Sequence, residues 1–182
     1  DDEFVAEGWG VDAAFNDAGP YDALLVNDAR VRGTSGVQDD PNSSAARELA
    51  RLLSSRGVRV NNGWGSGQAS TLTEVIGTVT SAPLSDIVNE MLINSDNNTA
   101  EMLLKELGFA DSGQGTRVAG LDVIDRTLAE WSIPLDGVRV VDGSGLSPQN
   151  TFTCRAMLQV LQRVRGTAVA TGLPIAGKTG TL

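Results

Sequence analysis

The chain has 182 residues, a formal net charge of −9 and an isoelectric point near 4.4. This acidic balance argues against a nucleic-acid-binding surface, which needs clustered lysine and arginine side chains. The length allows one domain or parts of two, and it is sufficient to bury a hydrophobic core. No apolar run in the sequence approaches the roughly 20 residues that a membrane-spanning helix needs.

The sequence contains no histidine, one cysteine (Cys154) and two lysines (Lys105 and Lys178). Without imidazole, this chain cannot form a Ser-His-Asp or Cys-His site or an HExxH zinc site. A single cysteine excludes an internal disulfide and a cysteine-rich metal site. Proton transfer must therefore use carboxylates, hydroxyls or lysine, and no cofactor is expected. Cys154 opens a helical pattern, so we expect it to be a small core residue.

Short strand signals dominate the first 80 residues, where β-branched or alternating apolar runs lie between turn residues. The predicted strands are residues 23–26, 58–60 and 72–80, and the predicted loops are residues 61–67 and most of 1–22. One helix lies between them, because Asp40 and Pro41 suit an N-cap and a first turn, and Gly57 suits the position after the last turn. Its apolar face would contain Ala46, Leu49, Leu52 and Leu53.

Apolar residues recur at helical spacing four times in the second half of the chain. The four patterns are Leu84 to Leu92, Ala100 to Leu107 with a stop at Gly108, Leu121 to Leu128 before Pro134, and Met157 to Val164 with Thr151 or Thr153 as the cap. Strands are predicted at residues 138–141 and 175–182. Because the helices are grouped instead of alternating with strands, the pattern predicts an α+β fold.

The polar triplet Ser95–Asn97 stands between two of these helices. Such residues prefer caps and turns, so one interpretation is a simple turn in which Asp96 or Asn97 caps the next helix. A functional interpretation comes from Lys178–Gly180 near the end of the chain. On an edge strand, this Lys-Thr-Gly run offers a fixed positive charge, a hydroxyl that can hold a carboxylate, and room for a substrate backbone.

The same lysine also belongs to a phosphate-loop pattern. Residues 172–179 fit GxxxxGK[ST], a motif that needs a helix directly after it. Gly180 and Thr181 are poor helix formers, and the one Walker-B-like run, residues 138–142, precedes the lysine. A nucleotide-binding loop is therefore kept as an alternative.

The two triplets together resemble the motif set of penicillin-binding proteins and class A β-lactamases. Three longer stretches resemble one group more closely, the low-molecular-mass class C penicillin-binding proteins, which are D-alanyl-D-alanine carboxypeptidase/endopeptidases. These stretches are residues 94–107, 141–150 and 177–182. The DGSGLS segment, residues 142–147, makes the resemblance more specific than either triplet. Residues 8–60 resemble the inserted region of that group, so the resemblance covers nearly the whole chain.

This resemblance implies a β-lactamase/transpeptidase-like α+β fold, with an antiparallel sheet and packed helices present in part. Residues 1–80 would form the end of a smaller strand-rich inserted region that returns to the main domain. Residues 81–182 would form the C-terminal part of the penicillin-binding domain.

The resemblance also implies roles for the matching residues. Ser95 would relay a proton between the catalytic lysine, the nucleophile and the leaving amine. Asn97 would hold the substrate's peptide amide and help to position that lysine. Lys178 and Thr179 would bind the terminal carboxylate of D-Ala-D-Ala or of a penicillin, and Gly180 would leave room for the substrate backbone. The implied site needs no metal or cofactor.

The family's nucleophile motif, Ser-x-x-Lys, is absent. Lys105 is preceded at that distance by Met102, and Lys178 by Ile175. We therefore expect a fragment that is inactive alone, from an enzyme that hydrolyses the D-Ala-D-Ala bond of peptidoglycan stem peptides through an acyl-enzyme. That enzyme would act outside the cytoplasmic membrane and bind β-lactams. The alternative is an acylation-dead fragment or a wall-binding module.

Three other enzyme interpretations were weighed against this one. A class A β-lactamase needs a deacylating Glu-x-x-Leu-Asn segment, which the residues from Glu130 onward do not match. Asp142 could act as a carboxylate nucleophile, but Asp-Gly after a strand favours a turn. A paired-carboxylate glycosidase is a remote third, since no acidic pair stands out. Trp9, Trp64 and Trp131 are expected to anchor loops or core rather than to bind sugars.

Overall fold

A computed structural model describes residues 5–6, 8–10, 13–14, 16–27, 30, 40–68, 70 and 74–175. Its helices are α1 (Pro41–Ser55), α2 (Leu84–Asn94), α3 (Asn97–Ser112), α4 (Arg117–Glu130), α5 (Cys154–Arg163) and α6 (Ala168–Gly172). The chain forms two compact units. One contains Gly19–Ser81, and the other combines Val5–Ala18 with Ala82–Leu182. Within the described ranges, no helix is long and apolar enough to cross a membrane.

Helix α1, in the first unit, begins and ends at the predicted residues. The Asp40 side chain caps it by accepting the Ser43 backbone N–H at 2.9 Å, and Pro41 occupies the first turn. Gly57 follows the last turn with φ +81°, a conformation that glycine adopts without strain. The predicted apolar face is confirmed only in part, because Ala46, Leu52 and Leu53 are half-buried and Leu49 is exposed. The fully buried residues of α1 are Pro41 and Ala45.

The strands predicted for this unit are not present in its described residues. Residues 23–26 form bends with exposed Leu24 and Val26, and residues 58–60 have no regular structure. Residues 74–80 are also irregular, with Ile76 99% exposed. A β-branched run becomes a strand only when it pairs with a neighbour and packs against a surface. The described part of this unit supplies neither for these residues.

The second unit is helical, and its central helix is α3. Helix α2 is confirmed, but α3 does not stop at Gly108 and continues to Ser112, followed by Gly113 with φ +73°. Gly108 serves packing instead, since a Cβ there would lie 2.8 Å from the Ala119 Cβ on α4. Close approach of α3 and α4 therefore explains a glycine that the sequence indicated as a stop.

The buried face of α3 also differs from the predicted one. The prediction used the apolar residues Ala100, Leu103, Leu104 and Leu107. The buried residues are Asn98, Glu101, Leu104, Lys105 and Gly108. This face is largely polar because part of what packs on it is backbone that needs a hydrogen-bond acceptor.

A small apolar cluster joins α4, the loop after it and α5. Its buried members are Leu128, Ile133 and Ala156, and the half-buried residues against it are Ile124, Trp131, Val138 and Val160. The predicted cap of α5 is confirmed, because the Thr153 hydroxyl accepts the Ala156 N–H at 3.1 Å. The predicted apolar face of α5 is wrong, since Met157, Leu158 and Leu161 are exposed. Cys154 is exposed too, so it is not the core residue that was expected.

The predicted antiparallel sheet stays a prediction. In place of the strand at residues 138–141, the described chain has an isolated antiparallel bridge between Arg139 and Thr151. The strand predicted at residues 175–182 lies outside the described residues except for Ile175, which is irregular. Helix α6, which was not predicted, packs on α2, with the Asn89 Nδ2 donating to the Thr171 Oγ1 at 3.1 Å.

The α3–α4 contact leads to a stability prediction. A Cβ at Gly120 would lie 2.0 Å from the Leu104 carbonyl oxygen, a backbone atom that cannot rotate away. Gly120→Ala should therefore lower the free energy of unfolding by about 1–3 kcal/mol or more through overpacking, even though alanine is the better helix former. Denaturant unfolding measures this. Gly115→Ala is the control, since its Cβ would meet only Phe109 at 3.8 Å. Equal stability of the two variants would contradict the close helix packing.

Candidate active site

The candidate site begins at the turn between α2 and α3. Ser95 ends α2 in the left-handed conformation, with φ +54° and ψ +49°, and its backbone N–H donates to the Met91 carbonyl. Its side chain is exposed. The sharp reversal therefore presents the Ser95 hydroxyl to solvent at the point where the next helix starts.

Asp96 is the N-cap of α3. One carboxylate oxygen accepts the Thr99 backbone N–H at 3.0 Å, and the other accepts the Thr99 hydroxyl at 2.6 Å. Such caps satisfy backbone N–H groups that have no partner within the helix. The turn interpretation of the triplet is thus confirmed for Asp96, and it leaves Ser95 and Asn97 available for other roles.

Asn97 and Asn98 form the first turn of α3. The Asn97 Nδ2 donates to the Asp17 carbonyl at 2.9 Å, while the rest of its side chain is half-buried. Asn98 is buried, and among the described residues its Oδ1 has no hydrogen-bond partner. A buried amide oxygen without a donor costs about 1–3 kcal/mol. The first turn therefore combines a fixed amide at Asn97 with a buried amide oxygen at Asn98 that has no partner among the described residues.

The DGSGLS loop, Asp142–Ser147, is organised by the buried carboxylate of Asp142. It accepts the backbone N–H groups of Gly145 at 2.8 Å and Ser147 at 2.6 Å. The Asn150 Nδ2 donates to it at 2.7 Å, and the Trp9 indole N–H donates at 3.1 Å. These contacts support the predicted turn rather than a nucleophilic Asp142. Trp9 anchors this loop, as was expected of it.

Glu101 connects this loop to α3. It is 1% exposed, and its Oε1 accepts the Gly143 N–H at 3.0 Å and the Ser144 N–H at 2.8 Å. Its Oε2 also lies 3.1 Å from the Gly143 nitrogen. Burial raises the pKa of the Glu101 carboxyl above its ordinary value, the nearby Asp142 charge acts in the same direction, and the bonds from Gly143 and Ser144 oppose it.

Two further contacts fix the loop. A Cβ at Gly143 would lie 2.6 Å from the Ala100 carbonyl oxygen, so the loop backbone lies directly against the α3 backbone. On the other side, the Arg117 guanidinium at the start of α4 donates to the Val141 carbonyl at 3.0 Å. The loop is therefore held by two helices and by Trp9.

The remaining predicted site residues, Lys178, Thr179 and Gly180, lie outside the described residues. Ser95 and Asn97 are brought together at one turn, and their relation to the Lys-Thr-Gly run stays a prediction. Within the described ranges, no group of three or more His, Cys, Asp or Glu residues could hold a metal ion.

The structure also bears on the alternatives. The segment before the GxxxxGK[ST] pattern is helix α6 instead of the strand that a phosphate loop follows. Glu130, the residue compared with the deacylating glutamate of class A β-lactamases, is exposed at the end of α4. A cleft of about 520 Å³ at Asp111 and Ser112 lies at the C-terminal end of α3, roughly 20 Å along the helix from Asn97, so it is separate from the candidate site.

Sequence reasoning from composition and spacing missed Glu101 as a site residue. The available signal was its spacing, because Glu101, Leu104, Lys105 and Gly108 follow the i, i+3, i+4, i+7 rule on one helix face. The sequence prediction used only the apolar residues of this helix and gave no role to Glu101 or Lys105. A charge at a buried helix position indicates a specific partner, which here is the backbone of the loop.

The N-cap of α3 leads to a prediction that distinguishes Asp96, which stabilises the helix, from Ser95, whose hydroxyl does not. Asp96→Ala should lower the free energy of unfolding by about 1 kcal/mol, because the Thr99 N–H loses its acceptor. Asp96→Asn should retain most of that stability, since an amide oxygen can also cap. Ser95→Ala should change stability by less than about 0.5 kcal/mol, because the hydroxyl is exposed. Thermal unfolding of the three variants measures this, and a large loss in Ser95→Ala would show a structural role.

The raised pKa of Glu101 yields a second prediction. Between its ordinary pKa of 4.5 and the raised one, the folded state holds the proton more tightly than the unfolded state. The free energy of unfolding should therefore contain a component that falls as pH rises through this window and levels off above it. Glu101→Gln should remove that component, and Glu106→Gln, at an exposed site on α3, should keep it. Parallel pH profiles of the two variants would contradict the assignment.

Comparison with known proteins gives the family. Residues 24–182 match the profile of the D-Ala-D-Ala carboxypeptidase 3 (S13) family. The chain is 32% identical over 167 residues to a D-alanyl-D-alanine carboxypeptidase of Actinomadura, covering 88% of this chain and 30% of that protein. It is 30% identical over 188 aligned residues to a carboxypeptidase of Mycobacterium tuberculosis, covering 98% of this chain and 40% of that protein.

The fold is similar to that of penicillin-binding protein 4 of Haemophilus influenzae, crystallised with a β-lactam. The TM-score is 0.68 at 25% identity, over 80% of this chain and 35% of that one. The expected transpeptidase-like fold is therefore supported, although its sheet is not seen in the described residues. The chain spans 30% of the length of the Actinomadura carboxypeptidase and 40% of that of the Mycobacterium tuberculosis carboxypeptidase. The sequence motifs, the fold and the profile agree that this chain belongs to the D-Ala-D-Ala carboxypeptidase 3 family.

Proposed function

We propose that the chain supplies the substrate-positioning and proton-relay part of a serine-type D-Ala-D-Ala carboxypeptidase/endopeptidase. The substrate would be a peptidoglycan stem peptide that ends in D-Ala-D-Ala, and β-lactams would occupy the same site. The reaction would pass through an acyl-enzyme on a Ser-x-x-Lys serine outside this chain. Its place of action would be outside the cytoplasmic membrane, where that substrate is found.

The observation that carries this proposal is the geometry of Ser95 and Asn97 in a chain of this family. Asp96 caps the helix. Its neighbours Ser95 and Asn97 are held in place by this cap, but their own side chains take no part in it. Ser95 is exposed, and Asn97 has its amide fixed by the Asp17 carbonyl. This arrangement suits a hydroxyl that exchanges a proton and an amide that holds a substrate group.

Each residue then has a chemical role. Ser95 passes a proton between the catalytic lysine, the attacking serine and the amine that leaves. Asn97 holds the peptide amide next to the bond that breaks and helps to orient the lysine. Lys178 and Thr179 bind the terminal carboxylate, and Gly180 allows the substrate backbone to lie close. Lysine and serine take the place of imidazole, in agreement with a sequence that has no histidine.

Covalent labelling by a fluorescent penicillin tests the proposal. The full-length protein that contains this chain should be labelled. Ser95→Ala should slow acylation by roughly 10²–10⁴-fold, the usual contribution of a positioned proton-transfer group. Asn97→Ala should slow it as well, because the substrate amide is no longer held. Ser85→Ala is the matched control, since Ser85 is an exposed serine of α2 whose hydroxyl, within the described part of the chain, donates a hydrogen bond to its neighbour Asp86 and to no other residue.

Four other outcomes would redirect the assignment. A full-length protein without labelling would indicate an acylation-dead or wall-binding module. Labelling of the 182-residue chain alone would place a nucleophile within it and contradict the proposed division of roles. Rapid turnover of a chromogenic cephalosporin by the full-length protein would favour a β-lactamase, and tight magnesium-dependent ATP binding would favour the phosphate loop.

A further inference from the structure

We propose that Glu101 is a positioning residue for this reaction. Its carboxylate locks the DGSGLS loop onto α3 and thereby fixes the first turn of the helix, which contains Asn97 and follows Ser95 and the cap residue Asp96. This inference rests on the proposed function for its effect on catalysis. The mechanical link between the loop and the turn is independent of that function and can be measured separately.

Helix geometry places Glu101 where it can act on the first turn. It lies four residues after Asn97, so the two residues share one helix face at a rise of about 6 Å. The loop touches the helix at the same level, because its Gly143 backbone lies against the Ala100 carbonyl. The contact between the Glu101 carboxylate and the loop therefore acts on the helical turn that directly follows Asn97.

The first turn needs such support because helix ends fray. The first four N–H groups of an α-helix have no partner within the helix. Asp96 satisfies that of Thr99, and Asn97 is tied through its side chain to Asp17. The loop adds a third restraint that reaches further, since Asp142 joins it to Trp9 and Val141 joins it to Arg117 on α4.

A carboxylate at this place is a demanding choice for packing alone. Burying an acidic group is costly unless hydrogen bonds satisfy it, whereas an apolar side chain would fill the space without that requirement. The carboxylate also fixes the orientation of the loop, because its Oε1 accepts two successive loop N–H groups. Positioning of a reactive group within a fraction of an ångström requires this kind of support.

Glu101 does not itself contact the reacting atoms in this arrangement. It is buried beneath the loop, whereas Ser95 is exposed. Removing it should therefore change the geometry of the turn more than the binding of the substrate carboxylate. The expected signature is a fall in kcat that exceeds any rise in KM.

The test uses a graded series in the full-length protein that contains this chain. Glu101→Ala removes both acceptor oxygens, whereas Glu101→Gln keeps one oxygen that can still accept the two N–H groups. Gly143→Ala leaves the carboxylate intact and pushes the loop away from α3. Glu106→Gln, at an exposed position of the same helix, is the control. The readouts are the release of D-alanine from a D-Ala-D-Ala-terminated peptide and amide hydrogen exchange at residues 99–101 and 143–144, whose N–H groups are hydrogen-bonded.

We expect Glu101→Ala to lower kcat by about 100-fold, the effect of a misplacement near 1 Å, with a smaller change in KM. Glu101→Gln should recover much of the loss, and Gly143→Ala should resemble Glu101→Ala. Exchange at residues 99–101 should be faster in proportion to the loss of kcat. If Glu101→Ala does not fold, Glu101→Gln and Gly143→Ala still carry the comparison.

Two outcomes would overturn the inference. One is unchanged kcat in folded variants whose loop amides exchange faster, since the loop would then not govern the turn. The other is unchanged exchange at residues 99–101 in every variant. If the wild-type protein releases no D-alanine, the proposed function fails instead. The exchange data then test the link between the loop and the first turn alone, with faster exchange at residues 99–101 in the variants supporting it and equal exchange rejecting it.

Discussion

The contact between the Glu101 carboxylate and the backbone of the DGSGLS loop is the constraint on which the helical unit depends. It joins residues more than 40 positions apart in the sequence, with bonds of 2.8 to 3.1 Å. Because the carboxylate is buried, its hydrogen bonds act in a medium of low dielectric constant, where they are stronger and harder to replace with water. The loop in turn depends on Asp142, so two acidic groups order a segment that has almost no regular secondary structure.

Helix α3 is held along its length by contacts in which backbone meets backbone. At one end Gly143 lies against the Ala100 carbonyl, and further along Gly120 lies against the Leu104 carbonyl. Side chains can adjust to a neighbour by rotating, but backbone atoms at such distances cannot. The helix is thus a rigid support, and its first turn is the part that the chemistry would use.

Local signals predicted the helix starts well, because a cap depends on only a few residues. Asp40, Asp96 and Thr153 each accept the expected backbone N–H group. Among the described residues, strands were predicted poorly, since a strand needs a partner that sequence alone does not identify. Gly108 was misread because a helical glycine can mark an end or a close contact. Ser95–Asn97 was proposed as part of a site from its pattern and stays a prediction, whereas Glu101 received no role because its partner is loop backbone, which the sequence does not identify.

The backbone at Ser95 has a consequence for which hydroxyl this turn can carry. Serine and threonine offer the same functional group, and by chemistry alone either could exchange a proton. The residue sits at φ +54°, however, a left-handed conformation in which a β-branched side chain clashes with its own backbone. The fold therefore disfavours threonine at this position before chemistry is considered. During sequence divergence, the exchange that looks most conservative at this position would be among the least tolerated.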